Sequence, residues 1–398
     1  MDNGIDVIVV GAGPYGLSLA AHLLHRGVDT RIFGVPMQTW ATAMPARMLL
    51  KSDGFASSLS TPQPGWSLGD YCRRRGLPYH DTDVPVPLET FVEYGLDFQR
   101  RFVPDLDQHQ VSAIKRHGSG FLVQSDDGRE WSARHVVVAT GITHFAVLPQ
   151  IFASCPGTHV THSSAHRSFE EFAGRHVTVV GAGSSAVEVA VALATATAHV
   201  RLVARASRVR FGASPAGRPL TRLDRIRRPS SGLGPGWASR LSCDAPDLFR
   251  FVPGRYRPDI VKRHLGPLSP SHLREPFERS VEVEIGRTVE HVGIDGEDIT
   301  LRLRDSLTGE SSTFETQHVI CATGYRADIS RLPFLEPALV REVKTLAKYP
   351  VLSHGFQSSV EGLSFVGLAA AASFGPLMRF MFGDEFAARR ISARLVKR

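Results

Sequence analysis

The chain has 398 residues, 42% apolar and 21% charged, with 46 Lys and Arg against 39 Asp and Glu for a net charge of +7. That length and balance suit a globular protein of two domains or one composite domain, and exclude disordered and fibrous classes. The basic excess is concentrated in eight arginines between Arg205 and Arg228 with Asp224 as the one acid among them; no helix-turn-helix or aromatic-rich sheet pattern accompanies it, so a solvated surface or a small phosphorylated ligand is expected rather than nucleic acid.

"MDNGID" is acidic and runs directly into the apolar strand "IDVIVV" (5–10), which is not the pattern of a signal peptide. The run is apolar throughout, as a parallel strand covered on both faces requires. Gly11, Gly13 and Gly16 follow as G-x-G-x-x-G, with Pro14 and Tyr15 between them, and Leu17, Ala20, Ala21 and Leu24 then mark one face of a helix. Gly27 ends that helix and "VDTRIF" is the next strand. Strand, glycine loop and helix in this order form a dinucleotide cradle: glycine permits the tight turn and lets backbone approach a pyrophosphate at the positive helix N-terminus. An acid about 20 residues past the first glycine ordinarily takes the ribose hydroxyls. Gly34 stands at that place, so the residues alone do not settle the first nucleotide.

Alternating strands follow in "VSAIKRHGSGFLVQSDDGREW", and "HVVVATGI" brings Thr140 and Gly141 to the end of a buried strand. The same parts then recur. "HVTVV" precedes Gly181 and Gly183, with Ser184 and Ser185 opening the helix and Ala186 in place of the third glycine; "AHVRLVAR" ends at Arg205, with Arg208 and Arg210 beyond; a second hairpin pattern leads to "HVICATGY", with Thr323, Gly324 and Tyr325. This is an internal repeat of two dinucleotide-binding units. In the second unit an arginine fork stands where a 2′-phosphate would lie, which predicts an NADPH site. The fold class expected is α/β, with two Rossmann-like dinucleotide-binding domains, β-hairpin or meander crossovers and a small helical insertion. The expected boundaries are 1–150 with 320–398 for one domain and 151–319 for the other, the latter interrupted at 211–280 by an Arg-, Pro- and Gly-rich stretch of short helices.

His159, His162 and His166 lie three and four residues apart, but in a Ser/Thr-rich stretch that reads as linker, and no metal site is expected. Cys72, Cys155, Cys243 and Cys321 are widely separated, without a C-x-x-C pair, as reduced thiols of a cytoplasmic protein are. Residues 362–382 are apolar enough to suggest a membrane span, but Gly375-Pro376 and Arg379 interrupt them; a strand followed by a buried helix is the expectation. The tail from Arg379 reads as an amphipathic helix, with Phe382, Phe386 and Ile391 facing the first domain.

On "GAGPYG", "MQTWATAMPARMLLKSD", "GAGSSA", "ATGY" and "LSFVGL", the sequence resembles the flavin-dependent monooxygenases, in particular the flavin-containing and N-hydroxylating enzymes. The resemblance covers residues 1–206 and 281–382. It implies FAD on the first cradle and NADPH on the second. It implies that one oxygen atom passes from a C4a-hydroperoxyflavin to nitrogen or sulfur of a small molecule, with molecular oxygen as co-substrate. It places Trp40, Met48, Leu49, Val111, Gly367 and Pro376 along the cofactors, and Lys51 and Asp53 beside the flavin as candidates for holding NADP⁺ or substrate. A surface ion pair is an equal reading of Lys51 and Asp53. The segment "CPGTHVTHSSAHRSF" departs from the family fingerprint at Cys155, His162 and His166, which argues against Baeyer–Villiger chemistry. A flavoprotein reductase or oxidase without oxygen insertion is the alternative, and a non-catalytic nucleotide sensor a third. Homo-oligomerisation is compatible with all three.

Overall fold

The computed structural model describes residues 4–82, 84–212, 227, 229–263 and 268–396. Arg218, Arg222, Arg225 and Arg228 of the basic stretch therefore lie outside the described residues, as does much of the first half of the expected insertion.

The first unit is built on β1 (Ile5–Val10), α1 (Pro14–His25) and β2 (Thr30–Phe33), joined by a short helix α2 (Gln38–Thr42), α3 (Leu68–Arg75) and α4 (Leu88–Phe102) to the meander β3 (Val111–His117), β4 (Gly120–Ser125) and β5 (Glu130–Val138). The sheet order is β2-β1-β5-β4-β3. β5 is long enough to serve twice: its first half pairs antiparallel with β4, while its second half runs parallel to β1 on one side and to the late strand Leu363–Phe365 on the other. Ile8, Val9, Val136 and Val137 are fully buried in this centre, each contributing roughly 1.5–3 kcal/mol by leaving water.

The second unit repeats the design with β6 (Val160–His162), β7 (His176–Val180), α5 (Ser184–Thr195), β8 (His199–Ala204), β9 (Val281–Ile285), the meander β10 (Arg287–Asp295), β11 (Asp298–Asp305), β12 (Ser311–Thr316), and β13 (His318–Cys321). Its main sheet has the order β6-β13-β7-β8-β9, and β10-β11-β12 forms a separate sheet. Gln317 makes the difference: it leaves the ladder, its N–H donating to His176 O and its side-chain oxygen accepting from His176 N, so β12 and β13 are not one continuous strand. The expected boundary at 320 cuts through β13, which pairs with both β6 and β7; the second sheet closes after Cys321. Residues 160–162, expected as linker, are strand β6 at a sheet edge.

After the second unit the chain returns to the first through the hairpin β14 (Thr345–Leu346) and β15 (Tyr349–Pro350), then β16 (Leu363–Phe365). The apolar run beyond β16 is not one helix. Gly367–Ala370 and Pro376–Arg379 are 3-10 turns either side of the one-turn helix Ala371–Phe374, broken at Gly375, which has φ +86°. The C-terminal helix Asp384–Val396 lies on α1, where Ser18 Oγ donates to Asp384 Oδ2 at 2.6 Å and Ala387, Ala388 and Ile391 are buried. Phe382 precedes that helix and lines the cleft described below.

Candidate functional site

The two glycine loops face one cleft, and they match in geometry. Gly11 has φ +112° and Gly181 φ +143°. A Cβ on either would come within 2.5 Å of a carbonyl oxygen, that of Ala139 for Gly11 and that of Ala322 for Gly181. Each loop thus crosses the end of its own A-T-G strand so closely that only glycine fits. Gly141 and Gly324, which close those A-T-G segments, share φ +73° and +78°. Gly13 and Gly183 cap α1 and α5 in the same extended conformation, φ −81° and −83°, and neither helix has a side-chain cap on its first N–H groups. A Cβ at Gly13 or Gly183 would meet nothing within 4 Å. The uncapped N–H groups and the open space above both glycines are the shape and charge a pyrophosphate needs. In the second cradle the Ser184 hydroxyl is buried without a protein partner, a further polar group left for a ligand.

The cleft encloses about 1660 Å³, more than the roughly 300–1,000 Å³ of a single small-molecule site. Its walls carry most of the residues expected from sequence: Gly11, Gly13, Pro14, Tyr15, Trp40, Met48, Leu49, Lys51, Asp53, Thr140 and Gly141 from the first unit, Gly181, Gly183, Ser184, Ser185, Arg205, Thr323, Gly324 and Tyr325 from the second, and Gly367 and Pro376 from the returning segment. Three expected residues stand elsewhere. Val111 belongs to the core of the first unit, and Gln110, just before β3, lines the cleft instead. Gly16 is a packing residue, since a Cβ there would lie 1.8 Å from Gly11 O. Arg208 is exposed away from the cleft, while Arg210 lines it.

Lys51 is exposed at the cleft but not free. Its ammonium pairs with Glu188 of α5 at 2.9 Å, and Glu188 is nearly buried, so this ion pair ties the flavin-side loop of the first unit to the cradle helix of the second. Where an acid was sought at the end of β2, Gly34 and Val35 line the cleft, and the amides of Gln38 and Gln110 join at 3.3 Å. Beyond β8, Lys262 and Arg263 stand on the same wall as Arg205 and Arg210. Loop Ser231–Pro235, from the Gly/Pro-rich stretch, also lines the cleft, with Gly232 against Phe382.

The three histidines expected in a linker do not converge. His159 Nε2 bonds Gly296 O at 2.9 Å, and His166 Nε2 lies 2.7 Å from Thr161 Oγ1. His162 Nδ1 accepts from Ser164 N–H at 3.2 Å, which leaves Nε2–H to donate to Gly324 O at 3.2 Å. Burial pushes its pKa down to about 4, so the ring stays neutral and holds the second A-T-G loop, with Tyr325 edge-on at 5.1 Å. Thr323 Oγ1 donates to Val147 O, and Val147 N–H donates to Gly324 O at 3.0 Å, which stitches the same loop to the segment leaving the first unit. Among the described residues the one group of three metal-capable side chains is His109, Asp126 and Asp127, all exposed and outside the cleft.

Sequence reasoning passed over Arg379, Gln38, Gln110 and Glu188. Of these, Arg379 carried a signal, as the cation inside an otherwise apolar stretch.

Residues 5–221 match the family model described as pyridine nucleotide-disulphide oxidoreductase. The chain is 29% identical over 217 residues to the probable indole-3-pyruvate monooxygenase YUCCA1 of Arabidopsis thaliana, covering 50% of this chain and 46% of that protein. It is 27% identical over 365 residues to the L-ornithine N(5)-monooxygenase of Ajellomyces capsulatus, covering 80% and 74%. The chain thus spans about half the length of the plant relative and about three quarters of the fungal one. The fold is that of DfoA, the cadaverine monooxygenase of Erwinia amylovora solved with FAD, with TM-score 0.77 and 17% identity over 100% of this chain and 95% of that one.

Proposed function

The chain belongs to the pyridine nucleotide-disulphide oxidoreductase family, and from that premise we propose that it is an FAD- and NADPH-dependent monooxygenase that puts one oxygen atom from O₂ on a nitrogen or sulfur centre of a small molecule. The observation that carries this is the pair of matched, uncapped cradles lining one cleft. One such cradle serves a dehydrogenase; two facing each other bring a flavin and a nicotinamide together. FAD belongs to the first cradle and the domain of residues 1–150 and 320–398, with β13 assigned to the other sheet. NADPH belongs to the second, on Arg205 and Arg210, whose guanidinium forks match a 2′-phosphate. Similarity to a fungal ornithine N-monooxygenase and a plant indole-3-pyruvate monooxygenase supports oxygen transfer as the outcome.

The two cofactors, when bound, supply hydride transfer and oxygen activation. The protein's part is to bind, align and keep dry. Gly11 and Gly181 let each loop cross its A-T-G strand, the open space at Gly13 and Gly183 would let backbone approach each pyrophosphate, and the free N–H groups of α1 and α5 would offset its charge. The Lys51–Glu188 pair fixes one unit against the other. Neutral His162 keeps Gly324 and Tyr325 in place without adding a charge beside the rings. Met378, Phe380, Met381 and Phe382 wall the cleft with apolar side chains that would limit water beside a bound flavin.

Disulfide chemistry, which the family description includes, has no support in the thiols. All four cysteines are unpaired, Cys72 and Cys321 are buried, and burial raises Cys321 to about 12, the reverse of a reactive thiolate. Unpaired thiols also fit the cytoplasm. No helix among the described residues is long and apolar enough to cross a membrane. Trp237 at 62% and Phe251 at 82% exposure are apolar side chains that self-association would cover. The alternative, a reductase or oxidase without oxygen insertion, draws on the similarity to a ferredoxin–NADP reductase of Cupriavidus taiwanensis, 26% identical over 206 residues.

The test is stoichiometry. The FAD-loaded protein is given NADPH with panels of amines, thioethers and ketones, and NADPH oxidation, oxygen uptake, peroxide release and product mass are followed together. An N- or S-oxygenated product in step with NADPH oxidation is the expected result. NADPH oxidation that ends wholly in peroxide or a reduced acceptor with every panel refutes oxygen insertion, and protein that stays colourless with added FAD refutes the flavoprotein assignment.

A further inference from the structure

Arg379 ends the turn Pro376–Arg379 and lines the cleft, where it is half-buried. Its neighbours are apolar or aromatic: Met378, Phe380, Met381 and Phe382 share the wall. The phenols of Tyr325 and Tyr349 are the groups that act on its charge, and no carboxylate among the described residues pairs with it. A cation taken from water calls for a counter-charge. Elsewhere in this chain the need is met within the protein, as for Arg390, which bonds Asp247 at 2.6 Å, and Arg201, which bonds Glu282 at 2.8 Å. Burial draws the Arg379 pKa down, as expected of a guanidinium short of water.

The position of Arg379 is fixed from the first cradle. The Tyr15 hydroxyl lies 3.1 Å from Met378 O and 2.8 Å from Phe380 O, the carbonyls on either side of Arg379. Gly383 makes that approach possible, since a Cβ there would meet the Tyr15 hydroxyl at 2.5 Å. On the other side Tyr325 follows the second A-T-G. The guanidinium therefore stands in the cleft within reach of Tyr325 of the second unit, on a turn held by Tyr15 of the first cradle, where the two units meet. From this placement, and resting on the oxygenase reading of the cleft, we propose that Arg379 anchors the carboxylate of the substrate, so that the molecules oxidised are small organic acids with an apolar body bearing the nitrogen or sulfur. A single planar fork matches one carboxylate. The apolar wall at residues 378–382 suits the body of such an acid and raises the strength of the ion pair by excluding water.

The test is direct binding to the FAD-loaded protein, read from the change in flavin absorption, with acid and amide pairs: benzoate and benzamide, phenylacetate and phenylacetamide, indole-3-acetate and indole-3-acetamide. In the unaltered protein at least one acid is expected to bind roughly tenfold or more tightly than its amide, the range of one charged hydrogen-bonded contact. Arg379→Gln is expected to abolish that preference, and Arg379→Lys to leave part of it. Equal binding of acids and amides by the unaltered protein overturns the proposal without any variant. So does an acid preference that survives in Arg379→Gln. A flavin potential shifted by Arg379→Gln with acid preference unchanged would assign the guanidinium to the flavin ring and also overturn it, and inorganic phosphate displacing the acids at equal concentration would overturn the carboxylate assignment. The oxygenase reading fails separately: intact acid preference with no oxygenated product from any acid leaves the anchor standing and removes the reaction.

Discussion

Gly11 and Gly13 are two residues apart in one loop, yet alanine has opposite expected effects at the two positions. At Gly11 a methyl group meets Ala139 O at 2.5 Å and Thr140 N at 2.9 Å, on a backbone with φ +112°. Backbone strain of about 1–3 kcal/mol and a packing clash of similar size together take roughly 2–6 kcal/mol from the fold, a large part of an ordinary domain's stability. At Gly13 the backbone is extended and nothing lies within 4 Å. There the entropic gain from replacing glycine and the weaker helix cap of alanine oppose each other, and stability stays within about 1 kcal/mol of the parent. What Gly13→Ala changes is the approach of a phosphate to α1. Loss of one charge-assisted hydrogen bond, worth about 1.5–3 kcal/mol, weakens FAD binding roughly 10- to 150-fold. Thermal unfolding by circular dichroism and titration of apoprotein with FAD measure the two quantities. A Gly13→Ala protein that folds normally and binds FAD as tightly as the parent would refute the assignment of the first cradle.

Gly183→Ala repeats the experiment in the second unit: the space above it is open, so folding and FAD content are expected to hold while the KM for NADPH rises by about tenfold or more; unchanged KM counts against that cradle. Arg205→Ala is expected to raise the KM for NADPH about tenfold with little change for NADH, and equal effects on both would show that Arg205 does not read the 2′-phosphate. Asp384 gives a pH dependence. Burial raises its pKa from 3.8 to about 8, so the folded state holds a proton that the unfolded state releases, and stability falls with rising pH across that window by at most about 1.4 kcal/mol per pH unit. His22, His162 and His318, each lowered by burial from 6.5 to about 4, act in the opposite sense below pH 6.5. Thermal stability is therefore expected to fall between pH 6.5 and 8, and Asp384→Asn to remove that fall; an Asp384→Asn profile parallel to the parent's above pH 6.5 contradicts the buried protonated carboxyl.

Both cradles were legible in the sequence because their signal is local: an apolar strand, two glycines and a helical face follow within 20 residues. The architecture followed from the repeat. What escaped depends on register and on distant contacts. Val111 opens β3 and Gln110 precedes it, and nothing in the sequence says which of the two neighbours faces a ligand. Arg205 and Arg210 line the cleft while Arg208 does not, a distinction set by how the chain leaves β8. Strand β6 has three residues, too few for any periodicity, and depends on β13 for its pairing more than 150 residues later. Lys51 was legible as a charge beside the flavin-side loop, but its partner Glu188 sits on the other unit's helix. Arg379 was visible as an interruption of an apolar run; its meaning came from the carbonyls that Tyr15 holds on either side of it.

The break at Gln317 leaves the two meanders with unequal mechanical independence. Strand β5 carries the first meander and the core of its sheet on one uninterrupted backbone, so that meander cannot peel away without opening the centre of its unit. β10-β11-β12 joins β13 through a break in the ladder, while its buried Ile299 and Leu301 pack against Val319 and Cys321, so its outer amides are expected to exchange with solvent before those of β7 and β13. Insertions at its two hairpin turns, between Asp295 and Asp298 and between Asp305 and Ser311, would then be absorbed with both cradles intact, whereas Ile299 and Leu301 share a core with Val160, Val319 and Cys321, and Arg287, Thr288 and Val289 line the cleft.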